Sequence, residues 1–96
     1  MIQYKVTFSD GQETIFNAPT RAELSNQYKQ YAEKYGTNAA SVREVGRIQY
    51  TYKLIPTGTI LTADALYNLY ILSYPNREET FDYFIHERKD TISIIA

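Results

Sequence analysis

Residues 2–36, IQYKVTFSDGQETIFNAPTRAELSNQYKQYAEKYG, present a strand, a turn, a second strand and a helix in immediate succession. Ile2, Tyr4, Val6 and Phe8 alternate with Gln3, Lys5, Thr7 and Ser9, the period of a strand with one buried face. Asp10-Gly11 then turns the chain. A two-residue turn would pair Val6 with Ile15 and set Phe8 opposite Glu13. A three-residue loop with Gly11 in the left-handed conformation pairs Val6 with Phe16 and Phe8 with Thr14. The second register is expected, because it gathers Tyr4, Val6, Phe8, Thr14, Phe16 and Ala18 on one face.

Beyond Pro19, Thr20 and Glu23 form the Thr-x-x-Glu capping box that opens a helix, and Gly36 closes it. The spacing predicts a helix over 21–35 with Leu24, Tyr28, Tyr31, Ala32 and Tyr35 on one stripe. Further on, Ile48, Tyr50, Tyr52 and Leu54 alternate with polar residues and predict a long strand over 48–54. A bulge at Gly46 would bring Val45 onto the buried face. Pro56-Thr57-Gly58 ends that strand. Thr62 caps a second helix through Asp64 and Ala65, although Leu66 to Tyr74 is apolar nearly all round and also resembles a buried strand. Asn76 and Glu79 suggest a capping-box variant ahead of a third helix carrying Phe81, Phe84, Ile85 and Arg88. Its rival is a strand using Phe81, Tyr83 and Ile85. Thr91 to Ile95 reads as a final strand that either pairs within the monomer or joins a second copy in a homodimer. The expected architecture is a small α+β domain over residues 1–96. It comprises an N-terminal hairpin, a helix, a long strand, one or two further helices and a C-terminal strand, in an antiparallel or mixed sheet with helices on one face.

Ten lysines and arginines balance eleven aspartates and glutamates, so the net charge of −1 supplies no global field for nucleic acid or membrane. Charge is local. Lys29, Lys34, Arg43, Arg47 and Lys53 outnumber Glu33 and Glu44 over 26–53, whereas Glu78, Glu79, Asp82, Glu87 and Asp90 outnumber Arg77, Arg88 and Lys89 over 76–90. The absence of cysteine leaves the core to hold the fold unaided. The alternating N-terminus is unlike a signal peptide and no run reaches membrane length, so a cytoplasmic protein without a membrane partner is expected.

His86 is the only histidine. Glu78, Asp82 and His86 fall at i, i+4 and i+8 of the expected third helix, a conceivable metal set, but the solvated face opposite Phe81, Phe84 and Ile85 explains them more simply. No serine lies in a nucleophile elbow. Gly11, Gly36, Gly46 and Gly58 stand too far apart to cradle a phosphate. The expectation is therefore a protein that is not an enzyme and takes no cofactor or metal.

Six of the ten tyrosines form two matching i, i+3, i+7 triplets, Tyr28/Tyr31/Tyr35 and Tyr67/Tyr70/Tyr74. On the first helix few other large apolar residues exist, so Tyr28 and Tyr31 are expected in the core and Tyr35 at a half-exposed contact. The second triplet shares its helix with Leu66, Leu69, Ile71 and Leu72, which leaves Tyr67, Tyr70 and Tyr74 as surplus rings for a partner. With the acidic Glu78, Glu79 and Asp82 they make up the expected protein contact. The competing expectation is nucleic-acid binding by a sheet face bearing Arg47, Gln49, Thr51 and Lys53, extended by Lys5 and Arg43. Against it, Tyr50 and Tyr52 point away from those bases and offer no stacking platform. In its small size, lack of cysteine, wealth of tyrosine and lack of catalytic motifs, the chain is similar to accessory proteins of phages and other mobile elements. That resemblance implies a protein partner, such as a host enzyme, that is inhibited by direct binding.

Overall fold

The alternation at the N-terminus is realised as strand β1 (Ile2–Phe8), paired antiparallel with β2 (Glu13–Ala18) in a computed structural model that describes residues 1–95. Ala96, the last residue of the expected domain, lies outside the described residues. The hairpin loop holds Ser9, Asp10 and Gly11, with Phe8 N–H donating to the Gln12 carbonyl at 2.8 Å. Val6 therefore faces Thr14 and Tyr4 faces Phe16, a register two residues from the expected one. The reason lies in Gly11 at φ +88°, because the third position of such a loop is the one that must be left-handed. A shift of two preserves the face, so Tyr4, Val6, Phe8, Phe16 and Ala18 are all buried as expected.

Helix α1 (Arg21–Tyr35) starts and stops at the expected residues. Thr20 Oγ1 accepts from Glu23 N–H at 3.2 Å, and Gly36 adopts φ +65°. Only half of the capping box forms, since the Glu23 carboxylate turns to Arg77 instead. Strand β3 (Ala39–Arg47) then pairs with the other side of β1, giving an antiparallel sheet of order β2-β1-β3. The ladder passes from Gln3–Gly46 to Tyr4–Glu44, so Val45 is the bulged residue. The bulge was expected at Gly46, which instead pairs with Gln3; it falls on Val45 and turns that side chain outward rather than into the core. Helix α1 covers the inner face, where Leu24, Ala32 and the partly buried Tyr28 and Tyr31 join the hairpin residues in one core cluster.

The expected long strand over 48–54 is interrupted. Ile48 N–H still bonds Met1 at the end of the first sheet, and after Gln49 and Tyr50 the chain enters a second one as β4 (Thr51–Leu54). The latter pairs antiparallel with β5 (Thr59–Thr62) and β6 (Ile92–Ile94) in the order β5-β4-β6. The alternation across 48–54 holds for Tyr52 and Leu54, which turn into the second core. Tyr50, expected on the same buried face, is exposed where the chain crosses from one sheet to the other, because alternation carries no information about which strands pair. The C-terminal strand pairs within the monomer at a sheet edge, burying Ile92 while Ile94 and Ile95 stay exposed.

Helices α2 (Ala63–Ser73) and α3 (Phe81–Glu87) cover the inner face of this sheet. Thr62 caps α2 as expected, by accepting from Ala65 N–H at 3.2 Å. The cap of α3 is Thr80, which accepts from Tyr83 N–H at 3.1 Å, and not Asn76. Asn76 instead belongs to a tight turn in which its N–H donates to Glu78 Oε1 at 3.1 Å. Tyr52, Leu66, Tyr67, Tyr70, Phe81, Phe84 and Ile92 form the second core cluster. The chain measures 42 × 24 × 20 Å, elongated as two side-by-side clusters require. Among the described residues no helix is long and apolar enough to cross a membrane.

Candidate functional site

Between the two core clusters runs a polar seam centred on Gln27, 1% exposed. Its Nε2 donates to the Asn17 carbonyl at 2.9 Å and to Tyr67 Oη at 2.9 Å, and its Oε1 accepts from Phe81 N–H at 3.1 Å. That last bond satisfies a backbone donor in the first turn of α3 that no helical carbonyl can reach. Tyr67 Oη donates onward to Glu23 Oε1 at 3.3 Å, and Arg77 forks the same carboxylate through Nε at 3.0 Å and Nη2 at 2.8 Å. The fork is planar and charge-assisted, the geometry for which arginine is suited. It holds the 75–80 loop against α1 although Arg77 sits at φ +54°, a left-handed conformation uncommon outside glycine. Nearby, Tyr70 Oη donates to the Glu79 carbonyl at 2.6 Å, and Asn17 Nδ2 donates to Asp82 Oδ1 at 2.7 Å.

Where the seam meets solvent it opens as a cleft of about 160 Å³ between the end of α1 and the 77–80 loop, lined by Tyr31, Lys34, Tyr35, Arg77, Glu78, Glu79 and Tyr83 among others. Tyr35 is 60% exposed and packs against Tyr31 with the rings tilted at 46° and 4.7 Å between centroids, and the Lys34 ammonium lies 5.8 Å from its ring centre. Lys34 Nζ meets Glu79 Oε1 at 2.8 Å across the cleft. This bond holds the Lys34 pKa above its ordinary value despite some loss of solvent. Tyr83 is also exposed, and the carboxylate of Glu87, then partial desolvation and Glu79, raise its phenol above the ordinary value, so it stays a protonated donor.

Of the seven residues expected at a protein contact, the structure brings Tyr35, Glu78 and Glu79 together here. Tyr67 and Tyr70 are corrections: at 1% and 0% exposure they belong to the second core, packed on Phe81 at 5.1 and 5.7 Å. Burial raises both phenol pKa values strongly. Rings that looked surplus to α2 are enclosed because α3 folds over them. Tyr74, at the end of α2, is half-buried against Tyr70 and Phe84 and does not line the cleft. Asp82 is turned toward Asn17 rather than into the cleft. On α1 the expectation is met only in part, since Tyr28 and Tyr31 are partly buried. Tyr83, Gln27 and Arg77 were missed. Tyr83 had a sequence signal, lying off the Phe81/Phe84 face of a short amphipathic helix. Gln27 and Arg77 had none, because their partners lie 40 and 54 residues away.

The expected single basic face does not form. Lys5 and Arg43 are cross-strand partners in the first sheet, with Lys5 paired to Glu13 at 2.8 Å, and Arg47 lies at the far end of β3 opposite Ile2. Lys53 belongs to the second sheet. The proposed metal stripe is also broken, since α3 begins at Phe81 and leaves Glu78 outside it. Among the described residues no group of three or more His, Cys, Asp or Glu side chains is placed to hold a metal ion. No protein-family model matches this chain, and no curated protein or solved structure does either.

Proposed function

We propose that this chain is a protein-binding module without a catalytic step of its own, and that its contact surface is the cleft between α1 and the 77–80 loop. The observation that carries this is the pair Tyr35 and Tyr83, two solvent-exposed rings lining one notch whose rim holds Lys34, Glu78 and Glu79. Tyrosine anchors ringed by charge are the composition in which binding energy concentrates at protein interfaces. Size argues in the same direction. At about 160 Å³ the notch falls below the roughly 300–1,000 Å³ of small-molecule sites, and suits a side chain or two from a partner surface. The Arg77–Glu23 fork fixes the loop beforehand, so little ordering is left to be done on binding.

The test places a photoreactive phenylalanine analogue at position 35, and as a control at position 53, in cells expressing the chain. A protein adduct from position 35 alone is expected. The adduct's purified partner should bind the wild-type chain, and the Tyr35→Ala/Tyr83→Ala double variant should weaken that binding by at least about tenfold while leaving the fold intact. Stoichiometric addition of the chain to the partner would then show whether occupancy inhibits it, the action expected from the sequence. Crosslinks to nucleic acid only, with binding that weakens steeply in salt, would replace this function with the basic-surface alternative.

A further inference from the structure

On the second sheet's side of the molecule, independent of the tyrosine cleft, a shallow groove of about 300 Å³ lies between the β4–β5 turn, α2 and the end of α3. Leu54, Pro56, Leu69, Phe84 and Ile92 give it a mostly apolar lining, and Arg88 stands among them. The guanidinium carbon of Arg88 lies over Phe84, 4.3 Å from the ring centre, and 5.7 Å from that of Tyr74. Its Nη1 donates to the Phe84 carbonyl at 3.4 Å. Among the described residues no carboxylate lies within ion-pair distance of Arg88, and no acceptor engages its Nε or Nη2.

We infer that this groove is a binding site for an aliphatic carboxylate, a free fatty acid of medium chain length. The Nε–Nη2 edge is the side of arginine that forks a carboxylate with two parallel hydrogen bonds, and the contact with the Phe84 ring together with the Nη1 bond to the Phe84 carbonyl holds the guanidinium at the groove in advance. The volume reaches the lower bound of small-molecule sites, and an apolar lining with one oriented polar group is their usual make-up. A neutral hydrocarbon would fill the groove but leave the guanidinium edge unused. A short-chain acid would meet the edge and leave Leu69 and Ile92 uncovered. A ligand with an aliphatic chain and a carboxylate satisfies the two features together.

The experiment titrates octanoate, octanol and acetate separately into the ¹⁵N-labelled chain and follows backbone amide shifts. Octanoate should move the amides of Leu69, Ser73, Phe84 and Ile92 in a saturable way and bind about tenfold more tightly than octanol. Acetate should leave these amides unmoved at the same concentrations. Arg88→Gln should bring octanoate down to the affinity of octanol, while Arg88→Lys, which keeps charge but not the fork, should recover only part of the difference. Equal binding of octanoate and octanol by the wild-type chain overturns the inference, as does a set of shifts lying elsewhere or an absence of saturable shifts. The comparison of ligands on the wild-type chain decides the matter even where a variant fails to fold.

Discussion

Helices α1 and α2 carry the same tyrosine spacing and use it in opposite ways. On α1 the triplet 28/31/35 runs from half-buried rings to the exposed Tyr35, whereas on α2 the triplet 67/70/74 begins with two enclosed rings and ends with a half-buried one. Spacing decides which residues share a helix face, and the elements that fold over that face decide whether it is covered. Here α3 closes over α2, bringing Phe81 and Phe84 onto Tyr70 at 5.7 Å each. Beyond the end of α1 the chain instead leaves a cleft. The composition of α2, rich in leucine, made its tyrosines look dispensable, yet Leu72 is the large apolar side chain of that helix that is left exposed, at 76%.

The contrast is broken most forcefully at Tyr70. Tyr70→Ala removes a fully buried ring from the second core and should destabilise the fold by about 3–5 kcal/mol in urea unfolding. Tyr70→Phe keeps the ring and removes only the hydrogen bond to Glu79, for an expected cost of about 1 kcal/mol. Tyr35→Ala should change stability by less than about 0.5 kcal/mol, because its ring is already in water. A loss at Tyr35 as large as that at Tyr70 would mean that the two stripes are equivalent after all.

Gln27 joins the two regions, and its removal comes next in size. Gln27→Leu preserves volume but strands Phe81 N–H and the Asn17 carbonyl and leaves the Tyr67 hydroxyl with only its bond to Glu23, so a destabilisation of about 2–4 kcal/mol is expected. Hydrogen exchange can show where the loss falls. Protection should fall on the Phe81 amide and its neighbours in α3 more than in the β1–β2 hairpin. A uniform loss would instead describe a single cooperative unit with no preferred boundary at the seam.

What could be read from the sequence follows from how far each signal reaches. The ends of α1 were legible because Thr20 and Gly36 act within four residues of themselves. The buried face of the hairpin was legible because alternation fixes it for any register of the same parity, and for that reason the register itself was not. Strand β3 went unrecognised before Gly46. It is an edge strand with Ala39 and Val42 as its only side chains against the core, too few to mark a period. Three of the seven contact residues share the candidate cleft, but the burial of Tyr67 and Tyr70 depends on a helix that begins more than ten residues later. The free edge of Arg88 and the bridging role of Gln27 are relations between distant segments and leave no local pattern.

The smallest effect expected lies at Asp82, where the seam meets the first turn of α3. The residue is exposed as a whole, yet its carboxylate is turned to the buried Asn17 amide and has lost part of its water. That loss raises its pKa above the ordinary value of 3.8, and the hydrogen bond from Asn17 lowers it only in part. A carboxyl whose pKa is higher in the folded state binds its proton more readily there than in the unfolded chain. Between the two values the native state carries more protons, so the contribution of Asp82 to stability falls as pH rises through that window, and it stays at the lower level at neutral pH. Asp82→Asn removes the titration while keeping an oxygen that can accept from Asn17. The stability of the variant relative to wild type should therefore rise across the window just above pH 3.8 and be level toward neutrality. The gain should be under about 1 kcal/mol, since solvent screens an exposed residue. Urea unfolding of both chains from acid to neutral pH measures the difference directly. A difference that moves the other way, with wild type gaining on the variant as pH rises, would show that the Asn17 bond outweighs the lost water and that this end of the seam favours the charged form.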